Sequence, residues 1–99
     1  MKLKDYRESL LERLREPDYA VSYLTQVLAD ESQEAFLIAL KDVIDARELN
    51  VSELAEEAGI TRQALYKALS ESGNPRFSTI TEVLRTLGLE IAIRKTDVA

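Results

Sequence analysis

Two residue types are missing from this 99-residue chain: it has no cysteine and no histidine. The first absence excludes a disulfide framework and a thiolate metal site. The second removes the commonest general base and the commonest metal ligand. Long hydrophobic runs are missing as well. No apolar stretch approaches the ~18 residues that a membrane span needs, and the opening MKLKDYRESLLERL lacks the apolar segment of a secretory signal. The expectation is an intracellular, cytoplasmic protein without a membrane partner. What remains is ordinary globular composition. Hydrophobic residues make up 45% and charged residues 31%, which suits one small domain with a packed core and a solvated surface.

Net charge is −5, which argues against general attraction to nucleic acid. The charge is uneven, however. Residues 1–50 hold 7 Lys+Arg against 11 Asp+Glu, whereas residues 51–99 hold 6 against 7. Between Ile60 and Arg76 the charged residues are Arg62, Lys67, Glu71 and Arg76, a local balance of +2. The local field is what a phosphate meets first.

Apolar periodicity predicts helices over roughly 5–15, 17–29, 33–47, 53–58, 61–69 and 79–87. Tyr6, Leu10 and Leu14 form the stripe of the first. Pro17 suits the first turn of the second, where Ala20, Val21, Tyr23, Leu24, Val27 and Leu28 are apolar. Ser32 is the expected cap of the third, whose buried stripe is Phe36, Leu37, Leu40, Val43 and Ile44. Ser52, Thr61 and Ser78 are the expected caps of the last three. Gly73, Asn74 and Pro75 mark a loop, and Ile80, Val83, Leu84 and Leu87 are the buried side of the last helix. Gly59 and Gly88 are expected stops. Beyond Gly88 the period changes: Leu89, Ile91 and Ile93 alternate with polar or small residues, a strand pattern. A single strand needs a partner. The carboxylate pairs Asp42/Asp45 and Glu56/Glu57 read as solvated helix faces. Phe36 and Phe77 read as core.

The stretch SELAEEAGITRQALYKAL carries the functional signal. A helix-turn-helix needs a small residue where the second helix crosses the first, a glycine turn, an apolar lock beneath, and outward polar residues on the second helix. Ala55 is the small residue and Gly59 the turn. Leu54, Ala58, Ile60, Leu65 and Leu69 are the lock. Arg62, Gln63, Tyr66 and Lys67 share the outer face, which holds no acid in an acid-rich chain.

Residues 33–88 resemble the Cro-type (XRE-like) helix-turn-helix repressors, through LNVSELAEEAGITRQALYKALS and the closing NPRFSTITEVLRTLG. The longer stretch from EAFLIALKDVIDARELN to RTLGLEI, with LYKALSESGNPRFSTI its most specific piece, is similar to the addiction-module antidote proteins, the HigA-like antitoxins. PDYAVSYLTQVLAD resembles the two-helix lead-in of that family. The resemblance implies an antitoxin of a type II toxin-antitoxin module, binding a RelE/HigB-like mRNA-cleaving toxin and repressing its own operon, in a bacterial or phage-borne setting. The alternative is a stand-alone Cro-type repressor with no toxin partner. An enzyme has no supporting feature, and no cofactor is implied.

Carried over residue by residue, the base-reading positions fall on Arg62, Gln63 and Lys67, with Tyr66 adjacent. The chemistry agrees: Arg bridges guanine O6 and N7, and Gln pairs with adenine N6 and N7. Tyr66 either meets DNA or covers the seam between helices. Ser52 and Thr61 stand at helix N-termini that attract phosphate. The family often carries a glutamine near Ser52, so the chain departs from it there. Asn74 and Arg76 fall in the loop laid along the DNA backbone, or else serve as turn residue and solvated charge. Reading a palindrome calls for a homodimer on double-stranded operator DNA, with Leu89, Ile91 and Ile93 as the paired strand. The acidic first half, around residues 6–31, is the expected contact for a basic toxin. The fold expected is all-α, a compact bundle of five to six helices containing a helix-turn-helix, with one short C-terminal β-strand paired in a dimer. Residues 1–31 form a helical extension and residues 32–99 the DNA-binding domain with its strand, together one compact unit.

Overall fold

The computed structural model describes residues 3–70 and 74–97. Among these residues the chain forms six helices and no strand: α1 (Leu3–Leu14), α2 (Pro17–Asp30), α3 (Gln33–Ala46), α4 (Val51–Glu57), α5 (Arg62–Ala68) and α6 (Phe77–Thr86). Gly73 lies outside the described residues.

The α3 helix is the centre. Eight of its 14 residues are buried, which leaves only a narrow solvated stripe through Glu34, Ile38 and Lys41. Ser32 starts it, its hydroxyl accepting the Ala35 N–H at 3.1 Å, and α1 and α2 pack against it. Leu14, Ala20 and Leu24 enter the same core cluster as Phe36, Leu37, Leu40, Val43 and Ile44. Pro17 occupies the first turn of α2, where its missing N–H costs nothing. On the other side of the cluster stand Leu54, Leu65, Ile80, Val83, Leu84 and Leu87. Arg47, at the end of α3, donates to the Leu87 carbonyl at 2.6 Å and ties the ends of α3 and α6 together. Glu48 follows in the left-handed region at φ 53°, with the Leu49 N–H closing back on the Ile44 carbonyl. A side chain there is strained.

Several expectations need correction. Ser52 does not cap α4: Asn50 does, its side-chain oxygen accepting from the N–H of Ser52 and Glu53. Asn50 stands three residues before Glu53, a cap spacing legible in LNVSEL. Ser78 does not cap α6, which begins at Phe77 after Arg76 and has no side-chain cap. Tyr6 is exposed rather than part of the buried stripe, and so is Phe77, at 70%. Asp42 is buried rather than solvated.

The strand expected over Leu89, Ile91 and Ile93 is absent. The Leu89 N–H donates to the Leu84 carbonyl at 2.8 Å, which turns Leu89 onto the core. From Glu90 to Asp97 the chain runs without regular structure, and Ile93 is 98% exposed. The reason is backbone pairing. A strand exists only through hydrogen bonds to a neighbouring strand, and a single copy offers none, so the expected dimer pairing is likewise not seen.

Near the interior Asp42 is paired with Arg7, whose guanidinium donates to Asp42 at 2.8 Å and to Asp45 at 3.0 Å. The Asp42 bond, then the two carboxylate charges, hold the Arg7 pKa above its ordinary value. Lys41 reaches Asp45 at 3.2 Å, out in solvent. The Arg7→Ala variant strands a nearly buried carboxylate and should lower stability by about 1–2 kcal/mol. Lys41→Ala removes an exposed pair and should cost only about 0.2–0.5 kcal/mol. Paired urea titrations check the difference, and equal losses would contradict this account of Asp42.

Candidate nucleic-acid interface

The α4 and α5 helices are seven residues each, too short to persist alone. Packing holds them. Ala55 is 1% exposed, small enough for a close approach, and Leu54, Ala58, Leu65, Ala68 and Leu69 are buried with it. The turn between the helices is at Gly59, with φ 75°. Its N–H donates to the Glu56 carbonyl, and the Ile60 N–H reaches back to the Ala55 carbonyl at 2.9 Å. Thr61 then caps α5, its Oγ1 accepting from the Ala64 N–H at 3.0 Å.

This arrangement leaves Arg62, Gln63, Tyr66 and Lys67 exposed on α5. The Arg62 guanidinium lies over the Tyr66 ring, 5.3 Å from its centre. Tyr66, 46% exposed, keeps part of its ring in solvent beneath Arg62. Lys67, Asn74 and Arg76 line one shallow groove between α5 and the start of α6, together with Ile60, Ala64, Pro75 and Thr79. Asn74 is also held from α3, with Gln33 donating to its side-chain oxygen at 3.3 Å. The loop residue thus has a fixed partner, and Arg76 stands exposed beside it. Ser52 is exposed on the first turn of α4, but its N–H is already bound to Asn50. Thr61 accepts from Ala64, which leaves its own O–H to donate. Asn50 is the residue that sequence reading passed over.

A second surface forms at the other end of the core. Tyr19 and Tyr23 on α2 stack with ring centres 6.5 Å apart. Burial, then the charge of Asp42, pushes the Tyr23 hydroxyl pKa up, and Tyr6 and Tyr19 lie close enough to add to the effect. Asp5, Glu8, Glu12 and Asp18 are exposed on these two helices and Glu16 between them, alongside the exposed Lys4 and Arg13 of α1. Arg7 and Arg15 are committed to Asp42, Asp45 and Glu48 on and after α3, so their charges do not offset that acidity locally.

Residues 5–95 match the family described as probable addiction module antidote protein. This chain belongs to that family. It is also similar to an uncharacterized protein of Haemophilus influenzae (strain Rd), 38% identical over 97 residues that cover 98% of this chain and 96% of the other. No solved structure matches. Membership in an antidote family points to the antitoxin side of an addiction module and implies a toxin partner. No helix among the described residues is long and apolar enough to cross a membrane.

Gly59 is the residue on which the geometry of α4 and α5 turns. A Cβ added there would meet nothing within 4 Å, so substitution strains only the backbone. Gly59→Ala should therefore cost about 1–2 kcal/mol, a fall in Tm of about 4–8 °C for each kcal/mol. Gly59→Asn should cost less, since Asn tolerates positive φ. Thermal melts of the three proteins check the order.

Proposed function

We propose that this antidote-family protein is an antitoxin that neutralises a RelE/HigB-like mRNA-cleaving toxin and represses its own operon in the cytoplasm. It acts by binding alone, without catalysis or cofactor. The carrying observation is the acid-free exposed face of α5, presented by a helix-turn-helix whose turn is Gly59. Arg62, Gln63 and Lys67 read bases, and Tyr66 supports Arg62. Thr61, Asn74 and Arg76 meet phosphates. Ser52 does so only through its hydroxyl, because its N–H is engaged. Two half-sites call for a homodimer.

The toxin is placed on the α1–α2 face. Tyrosines ringed by carboxylates suit a basic protein, aromatic rings supplying contact area and acids the encounter field. That face distinguishes this reading from a stand-alone repressor, which has no use for it.

Two experiments test the two halves. On DNA from upstream of its own reading frame, Arg62→Ala should lose about 1–3 kcal/mol and relax preference at one base pair. Arg76→Ala should weaken operator and scrambled DNA alike and lower the salt slope by about 1. Fluorescence anisotropy across salt concentrations reads both. An Arg62→Ala protein with full operator affinity would remove the base-reading assignment.

Deleting the first 30 residues is a poor test of the toxin face, since Leu14, Ala20 and Leu24 belong to the core. Surface substitution serves better. Tyr6→Ala combined with Tyr19→Ala should weaken the complex with the adjacent reading frame's product by about 1–3 kcal/mol, with operator affinity unchanged. Calorimetry measures it, and an unaltered complex would move the toxin elsewhere.

A further inference from the structure

Phe77, Leu28, Ile91 and Ile93 are large apolar side chains left in solvent at one end of the molecule. They are neighbours. Leu28, Phe77 and Ile91 share one groove with Phe36 and Ile80, and Phe77, Ile91 and Ile93 share the next with Thr81 and Arg85. A continuous exposed patch of this kind marks an interaction surface. Its edge is chain outside any ladder: among the described residues, Glu90 to Lys95 make no backbone–backbone hydrogen bond.

We propose that the occupant of this face is a second copy of the same chain, with the two 89–95 segments paired antiparallel about a two-fold axis through Ala92. This rests on the homodimer of the proposed function and adds its surface and register. Charge complementarity selects both. With the axis at Ala92, Ile91 of each copy stands opposite Ile93 of the other, and Glu90 opposite Arg94, twice over. An axis at Glu90 or Arg94 sets like charges against each other. An axis at Ile91 or Ile93 leaves Glu90 and Arg94 without each other. A one-residue slip puts the isoleucines of the two copies on opposite faces. The self-pairing residue, Ala92, is small. In this register Ile93 of one copy comes beside Ile91 of the other and covers the Phe77 groove, so the most exposed apolar side chain is buried by the patch that its absence leaves open.

Sedimentation velocity on the full chain tests the proposal without DNA or toxin. Glu90→Arg and Arg94→Glu each set two like-charge pairs across the axis and should weaken self-association about tenfold. The double variant re-forms both pairs with reversed sign and should return close to the parent value. Ile93→Lys alters a side chain that touches almost nothing in the single chain, so circular dichroism should be unchanged while the dimer is lost. A dimer indifferent to Ile93→Lys and to both charge reversals would overturn this surface while leaving the homodimer standing. A dimer lost to Ile93→Lys but not rescued in the double variant would overturn the register. A parent chain that stays monomeric at all concentrations would overturn both the surface and the homodimer. If Ile93→Lys spared self-association and reduced toxin binding instead, the face would belong to the toxin and the proposal would fall.

Discussion

Burial of α3 from more than one direction is the constraint on which the rest of the structure depends. A helix with eight of 14 residues inside cannot be finished by a single neighbour. The α1 and α2 helices pack against it, and residues of α4, α5 and α6 join the same cluster, so the result is one connected core. The first two helices are therefore not a detachable lead-in. They supply Leu14, Ala20 and Leu24, and they supply Arg7, without which Asp42 would be a lone charge at the edge of the interior. Because the same core anchors α5 through Leu65, the tyrosine face and the Arg62 face belong to one packed body.

How much of this could be read in advance depended on the range of the interactions. Helices fixed by local apolar period and local caps were legible: Ser32, Thr61, Gly59 and Gly88 act within a few residues of themselves. The buried stripes of α3 and α6 were equally plain. What escaped involves pairs far apart in sequence. Nothing near Asp42 announces Arg7, 35 positions away, so a buried carboxylate was read as a solvated one. Tyr6 and Phe77 are apolar by type, yet one lies at the rim of the α1–α2 face and the other opens α6 beside the tail. Asn50 is a different case. Its capping signal was local and visible, but the serine two residues later drew the assignment. The alternation at Leu89, Ile91 and Ile93 is real in the sequence, and only backbone partners from outside the chain could turn it into a strand.

The proposed DNA face lies in a protein whose net charge is −5, and the two facts are compatible because of distance and screening. The molecule spans 41 × 37 × 25 Å, and the Debye length at physiological salt is about 8 Å. Carboxylates several such lengths from α5 contribute little to the field there. The nearby charges set that field: Arg62, Lys67 and Arg76 on α5 and the loop, against Glu53, Glu56 and Glu57 exposed on the adjoining α4. The negative first half acts on whatever approaches α1 and α2, and a basic toxin, as proposed, would be drawn there by the same charges.

The Arg62–Tyr66 contact bears on whether a base reader can be held in place without being used up. A guanidinium held over an aromatic ring by cation–π attraction spends no N–H donor on the ring, and its donors lie along the edge of the fork. Guanine O6 and N7 are reached by that edge. In the proposed reading this contact restrains the long side chain while leaving its donors unspent, which would reduce the rotamer entropy lost when a base is bound. Lysine at position 62 would keep the charge and lose both the planar stack and the fork. On that proposal Tyr66 serves recognition as the platform that aims Arg62.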